Sequence, residues 1–165
     1  MRLKISILQE EQVTQKYVDW FSDKEVVKYS ENQNRKFSLE GQIKYVASCL
    51  KNPFLDLYGI FDEDLHIGNI ALSGINSVHR VAEITYVVGE RLYWGKGVAT
   101  FACKEIIKLA KSQHNLHKVF AGVSEQNISS KRVLEKNKFV LEGRRIDHLY
   151  FNGTFQDQLD YGLIL

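Results

Sequence analysis

Tyr86–Ala102, YVVGERLYWGKGVATFA, is the stretch on which the reading of this chain turns. It opens as the end of a β-branched, aromatic strand, passes two glycines spaced two apart, and closes as the start of an amphipathic helix. Glycine permits positive φ and close backbone approach. The bare N–H groups at a helix N-terminus, aided by the helix dipole, form an anion site. Trp94, Gly95, Lys96, Gly97, Val98, Ala99 and Thr100 are therefore candidates to hold a phosphate or pyrophosphate, mostly through backbone amides. Glycine spacing alone fits a plain tight turn equally well. A third glycine and a downstream ribose-binding acid are missing, which excludes the dinucleotide fingerprint. No GKS or GKT follows, which excludes a P-loop.

Upstream lie strand-like runs at Leu55–Phe61, His66–Gly74 and Val81–Gly89, joined by a turn at Asp62–Asp64 and a loop around Asn76–His79. Downstream, His117–Val123 reads as a strand and Asn127–Asn137 as a helix. Phe139–Tyr150 and Phe155–Leu165 read as two strands across Asn152-Gly153, a strong hairpin signal. At the other end, Leu3, Ile5 and Ile7 alternate with polar residues as a first strand. Val13, Tyr17, Val18, Trp20 and Phe21 predict a helix over Glu10–Phe21, and Asp23 caps a short second helix through Val27. Tyr29–Lys36 is a polar loop. Ser38 caps a third helix to about Leu50, with Ile43, Val46, Ala47 and Leu50 facing inward. This order predicts the α/β class: a twisted mixed sheet of about seven strands with helices on both faces. The unit running from Val81 through the glycine turn to Val123 makes its two strands parallel by a right-handed crossover.

The 165 residues suit one domain over 1–165. Charges are 25% of residues, interspersed, with a net +2, so the basic stripe of a nucleic-acid binder is missing. Cys49 and Cys103 lie in apolar helical surroundings, as buried free thiols of a reducing compartment do. The opening MRLKISIL is too short and polar for a signal peptide, and no apolar run approaches the roughly 18 residues of a membrane span. A cytoplasmic protein without membrane or nucleic-acid partners is expected. The histidines show no metal-ligand spacing, so no metal is expected either.

Trp94-Gly95-Lys96-Gly97-Val98-Ala99 resembles the pyrophosphate loop of the GNAT superfamily of N-acetyltransferases, written (Q/R)-x-x-G-x-(G/A). Trp94 departs from the Gln/Arg position, but YWGKG is similar to the branch of ribosomal-protein alanine N-acetyltransferases, the RimJ/RimL type. His79–Ile84, Asn127–Ser130, Val133–Phe139, Leu141–Gly143, Asn152-Gly153 and Asp157 agree with that branch in order and spacing. The resemblance covers roughly residues 55–165 and is weak before them. It implies a sheet splayed between the fourth and fifth strands, with the pantetheine arm of acetyl-CoA entering the gap like an extra strand. Val87, Val88 and Gly89 would offer it backbone groups, with the Val88 N–H near the thioester oxygen. Asn127 would touch the arm or simply cap its helix. One of Lys104, Lys108, Lys111 and Lys131 would reach a CoA phosphate. The implied activity is acetyl transfer from acetyl-CoA, as co-substrate, to a primary amine: a protein N-terminus, an amino sugar or a polyamine. The partner is thus a small-molecule or peptide acceptor, and the resemblance admits a homodimer. The acceptor would be shaped by Tyr17–Lys36 and the Tyr150–Phe155 hairpin.

Attack needs a deprotonated amine, hence a base near neutral pKa. Glu83 stands in the strand before the loop, where several GNAT enzymes place theirs. A salt bridge to Arg80 or His79 explains it as well. The leaving thiolate then needs a proton, which many GNAT enzymes draw from a tyrosine in L-Y-x-x-x-G-F. Here Leu134 holds the tyrosine position and Lys138 the glycine position, so that donor is lost. Ser130 matches the serine of RimL-type enzymes and becomes the candidate acid, with helix capping as the alternative role. The lost tyrosine leaves a non-catalytic acyl-CoA-binding or regulatory module open.

Overall fold

A computed structural model describes all residues 1–165. Seven strands form one sheet in the order β1-β2-β3-β4-β5-β7-β6. They are β1 (Leu3–Ile7), β2 (Leu55–Asp62), β3 (Leu65–Asn76), β4 (Val81–Val88), β5 (Lys118–Ser124), β6 (Val140–Phe151) and β7 (Thr154–Ile164). Helices α1 (Gln15–Trp20), α2 (Leu39–Leu50), α3 (Val98–His114) and α4 (Ile128–Lys136) complete the fold. Only β4 and β5 run parallel, across the α3 crossover. Asn152 and Gly153 both take positive φ, 54° and 79°, as the turn joining β6 to β7 requires.

The parallel ladder is short. Its rungs are Val81–Lys118, Ala82–Val119 and Glu83–Phe120, after which β4 continues to Val88 with no partner on that edge. The antiparallel ladder of β5 with β7 runs on to Ser124. The sheet is therefore open between its fourth and fifth strands.

Alternation along the strands sorts two cores onto two faces. Ile70, Leu72, Ala82 and Ile84 join Val98, Ala102, Cys103 and Ile106 of α3 and Leu134 of α4 in the larger core. Ala71 and Leu57 join Tyr17, Trp20, Val46 and Cys49 on the other face, under α1 and α2. Thr85 and Glu83 lie opposite Ala71 and Ser73 and share that second face. Gly89 lets α1 close on the end of β4: a Cβ there would stand 1.9 Å from the Trp20 ring. Trp20 Nε1 donates to Glu90 Oε1 at 2.8 Å and locks the same contact.

Several expectations before β2 need correction. Thr14 accepts from the Tyr17 N–H and starts α1 at Gln15, so Glu10–Gln12 is a separate 3-10 turn. After Asp23 the chain makes a turn, with the Val27 N–H donating to the Asp23 carbonyl, and no second helix. The expected loop holds a 3-10 turn, Glu31–Asn34, capped by Ser30. In α2 the inward residues include Gln42 and Cys49, while Leu50 is exposed. Both cysteines are buried and free.

Candidate active site

Gly97 caps α3 with φ 82°, and Gly95 has φ 73°. Nothing lies within 4 Å of a Cβ at either, so backbone conformation rather than space calls for glycine. No side chain caps α3, and the first i→i+4 bond is Phe101 N–H to the Gly97 carbonyl. The N–H groups of Val98, Ala99 and Thr100 are thus left facing outward, at a helix end worth roughly +0.5 elementary charge. Lys96 differs from its neighbours: its N–H points to the Tyr93 carbonyl at 3.4 Å and its ammonium sits over the Tyr93 ring.

One cleft of about 1080 Å³ joins this helix end to the opposite face of the sheet. Trp94, Gly95 and Gly97–Thr100 wall one side, with Asn127, Ser129 and Ser130 from the start of α4. Thr85–Val88 form the middle, at the opening of the sheet. Tyr17, Gln42, Tyr45 and Asn69 lie beyond it, under α1 and α2. Arg132 and Lys136 line the α4 side, where Lys104, Lys108, Lys111 and Lys131 do not. The β6–β7 hairpin reaches the same region from outside, Asn152 Nδ2 donating to the Lys28 carbonyl.

The backbone of β4 alternates in what it offers. The Gly89 N–H donates to the Ile67 carbonyl at 3.0 Å, while Gly68 stands opposite Val88 and Asn69 opposite Val87. Antiparallel pairs alternate between bonded and non-bonded, so Thr85 and Val87 turn their backbone groups to β3. Tyr86 and Val88 turn theirs to the gap. The expectation that Val87, Val88 and Gly89 all offer backbone groups to the gap is therefore corrected: Val87 turns its backbone to β3, and the Gly89 N–H is taken by Ile67. Val88 keeps its N–H toward the gap, but its carbonyl already accepts from Trp94 Nε1 at 2.8 Å. The indole thus ties the glycine loop to the strand end.

Glu83 occupies the last rung before the gap, half-buried, and does not line the cleft. Burial and then the nearby Asp160 raise its pKa, against Arg145 and the Gly122 N–H. Arg80, offered above as its partner, binds Asn115 instead. Ser130 is brought to β4 directly: its Oγ lies 2.6 Å from the Tyr86 hydroxyl. Asn127 caps α4, its Oδ1 accepting from the Ser130 N–H at 3.1 Å, and also lines the cleft. Leu134, which the motif alignment sets where a tyrosine would point to the sulfur, is 1% exposed in the larger core and outside the cleft wall. Tyr86 and Asn69 are the polar residues that sequence reasoning undervalued. Asn69 carried a signal, a lone amide inside the apolar run Ile67–Leu72. No three His, Cys, Asp or Glu side chains gather as for a metal ion, and no helix is long and apolar enough to cross a membrane.

Comparison with known proteins agrees with this geometry. The family description "Acetyltransferase (GNAT) domain" matches residues 2–140. YdaF of Bacillus subtilis, provisionally named a ribosomal N-acetyltransferase, is 34% identical over 119 residues, 69% of this chain and 64% of YdaF. The spermidine N(1)-acetyltransferase of Vibrio cholerae is 31% identical over 91 residues, 55% of this chain and 52% of that enzyme. This chain thus matches less than two thirds of either relative's length. Among solved structures, RimL, a ribosomal alpha-N-protein acetyltransferase in complex with coenzyme A, superposes with TM-score 0.89 at 19% identity, covering 100% of this chain and 95% of RimL.

Proposed function

We propose, because this chain belongs to the GNAT acetyltransferase family, that it transfers an acetyl group from acetyl-CoA to a primary amine by direct attack in a ternary complex. The observation that carries this reading is the single cleft running from the uncapped end of α3, through the opening between β4 and β5, to a polar wall under α1 and α2. Anionic and amine-bearing substrates can thus enter from opposite faces and meet at the opening. The amides of Gly97, Val98, Ala99 and Thr100, with Gly95 shaping the turn, hold the pyrophosphate. The arm then runs along the gap-facing backbone of Tyr86 and Val88 and past Asn127. Trp94 keeps the loop in register with the strand.

In the reaction the amine nitrogen bonds to the acetyl carbonyl carbon, and the carbonyl oxygen gains negative charge that the Val88 N–H stabilises. Collapse re-forms the carbonyl and breaks the carbon–sulfur bond, releasing thiolate. The nitrogen's proton leaves toward Glu83, whose raised pKa suits a base; since Glu83 stands behind the cleft wall, the transfer runs through water. Ser130 hydrogen-bonds the sulfur as charge develops. The whole chain acts as one cytoplasmic catalytic domain on a protein N-terminus, an amino sugar or a polyamine. Incubation with acetyl-CoA and a panel of such amines, monitoring free thiol, should give amine-dependent CoA release. Calorimetric binding of acetyl-CoA with no release would instead assign a non-catalytic acyl-CoA-binding module.

A further inference from the structure

The wall under α1 and α2 has a hydrogen-bonding polarity, and His66 sets it. The register of β2 with β3 slips at Ile60/Phe61, Ile60 facing Gly68 while Phe61 faces His66. That bulge swings His66 onto the face of Asn69, three residues on. His66 is 9% exposed and caged by Tyr17, Trp20 and Phe61, with ring centroids 5.3, 4.9 and 5.0 Å away. Its Nε2 lies 2.8 Å from Asn69 Oδ1, and its sealed Nδ1 has no partner.

Burial lowers the His66 pKa, so the ring is neutral and carries one N–H. The Gly68 carbonyl is near the ring and favours its charged form, but Nδ1 has no partner in hydrogen-bonding geometry; a hydrogen there would be an unpaired buried donor, costlier than a bare lone pair. The hydrogen therefore sits on Nε2 and donates to Asn69 Oδ1. With its carbonyl turned to His66, Asn69 turns its amide N–H donors to the cleft. Tyr17 lines the same cleft, and burial above all raises its pKa, so its hydroxyl keeps its proton. That O–H is a second donor available to the cleft.

Tyr17, Gln42 and Asn69 line the cleft while being 2%, 4% and 5% exposed. Asn69 faces Val87 across the ladder, one residue from the gap-facing N–H of Val88. Glu25 is the only carboxylate in the cleft wall, and Lys28 stands 3.9 Å from it; Arg35 and Lys36 line the same mouth. An ammonium offers donors and no acceptor, so it cannot pair with the Asn69 N–H groups, and Lys28, Arg35 and Lys36 at the mouth repel it. A neutral carbonyl or hydroxyl oxygen fits the donors.

We propose that Asn69, locked by His66 and acting with Tyr17, is an acceptor-recognition site for amines whose neighbouring carbon bears a neutral oxygen. This is the N–C–C–O unit shared by an N-terminal aminoacyl group and a 2-amino sugar, and it selects against polyamines. The inference rests on the acetyl-transfer reading and narrows its acceptor.

The test compares an alanine-initiated tripeptide amide, glucosamine and spermidine as acceptors, with acetyl-CoA as donor. The tripeptide or glucosamine should exceed spermidine in kcat/KM by at least about tenfold, and the better of the two identifies the source of the unit. Tyr17→Phe, which keeps the ring and the fold, should raise the preferred acceptor's KM roughly three- to tenfold and leave the acetyl-CoA KM unchanged. Asn69→Asp, replacing donors by a carboxylate, should move the preference toward spermidine. Spermidine as the best acceptor of the unaltered protein, or equal effects of the variants on both substrates' KM, overturns this site alone. Bound acetyl-CoA with no release to any of the three overturns the acetyl-transfer reading and this site with it.

Discussion

Ser130 gives its N–H to Asn127 Oδ1 at 3.1 Å and holds the Tyr86 hydroxyl 2.6 Å from its own. Burial raises the Tyr86 pKa far above a phenol's ordinary value, so the tyrosine keeps its proton. It is then a poor acid but a sound donor, to Ser130 Oγ or to the Ser130 carbonyl at 3.3 Å. When the phenol donates to Oγ, the serine proton is turned outward and strengthened as a donor by the chain of bonds. Tyr86 would thus be a positioning residue acting through Ser130. Ser130→Ala should slow single-turnover acetyl transfer about tenfold to a thousandfold, the range for one lost transition-state hydrogen bond. Tyr86→Phe should slow it less, and the double variant should be no slower than Ser130→Ala, because linked residues are not additive. Additive losses would show that the two hydroxyls act separately.

At the scale of elements, α4 ends in a conformation its sequence does not favour. Lys138 has φ 69°, the left-handed region, at the place where the family pattern carries glycine. Lys138→Gly should relieve that strain and stabilise the fold by about 1 kcal/mol, net of the entropy glycine adds to the unfolded chain. A rise in the urea midpoint at unchanged m-value would register it; a fall would mean that the lysine side chain holds α4 in place. Strands β2 to β7 and helices α2 to α4 were legible because their periods are long and end in strong signals such as Ser38, Gly97 and Asn152-Gly153. The segment Glu10–Ser30 was not, since Thr14 and Asp23 can each start a helix and tertiary contacts decide which one continues. The glycine loop was readable from its residues. The direction of the Val87 amide depends on ladder phase, and the pairing of His66 with Asn69 depends on a bulge, neither of which strict alternation encodes.

Across the whole molecule, buried His66 and half-buried Glu83 link pH, stability and activity in opposite senses. The pKa of His66 is lowered in the folded state, so below about 6.5 the unfolded chain binds the proton more readily, and stability falls as pH drops through that window. The pKa of Glu83 is raised in the folded state, so the folded chain binds its proton more readily, and stability falls as pH rises through the window above about 4.3. At neutral pH the fold therefore carries an ionised Glu83 beside Asp160 at a cost, the arrangement expected where a residue is kept for chemistry rather than for stability. Glu83→Gln should lower turnover by about two to four orders of magnitude near neutral pH, with acetyl-CoA affinity little changed. The same variant should be more stable than the unaltered protein at pH 7, and that advantage should shrink toward pH 4, where the carboxyl is already protonated. Urea unfolding at the two pH values separates the cases. A stability gain that ignores pH would place the effect in packing rather than in charge. A loss at pH 7 would make Glu83 a structural partner of Arg145 and the Gly122 N–H, and the base would have to be sought elsewhere along the gap.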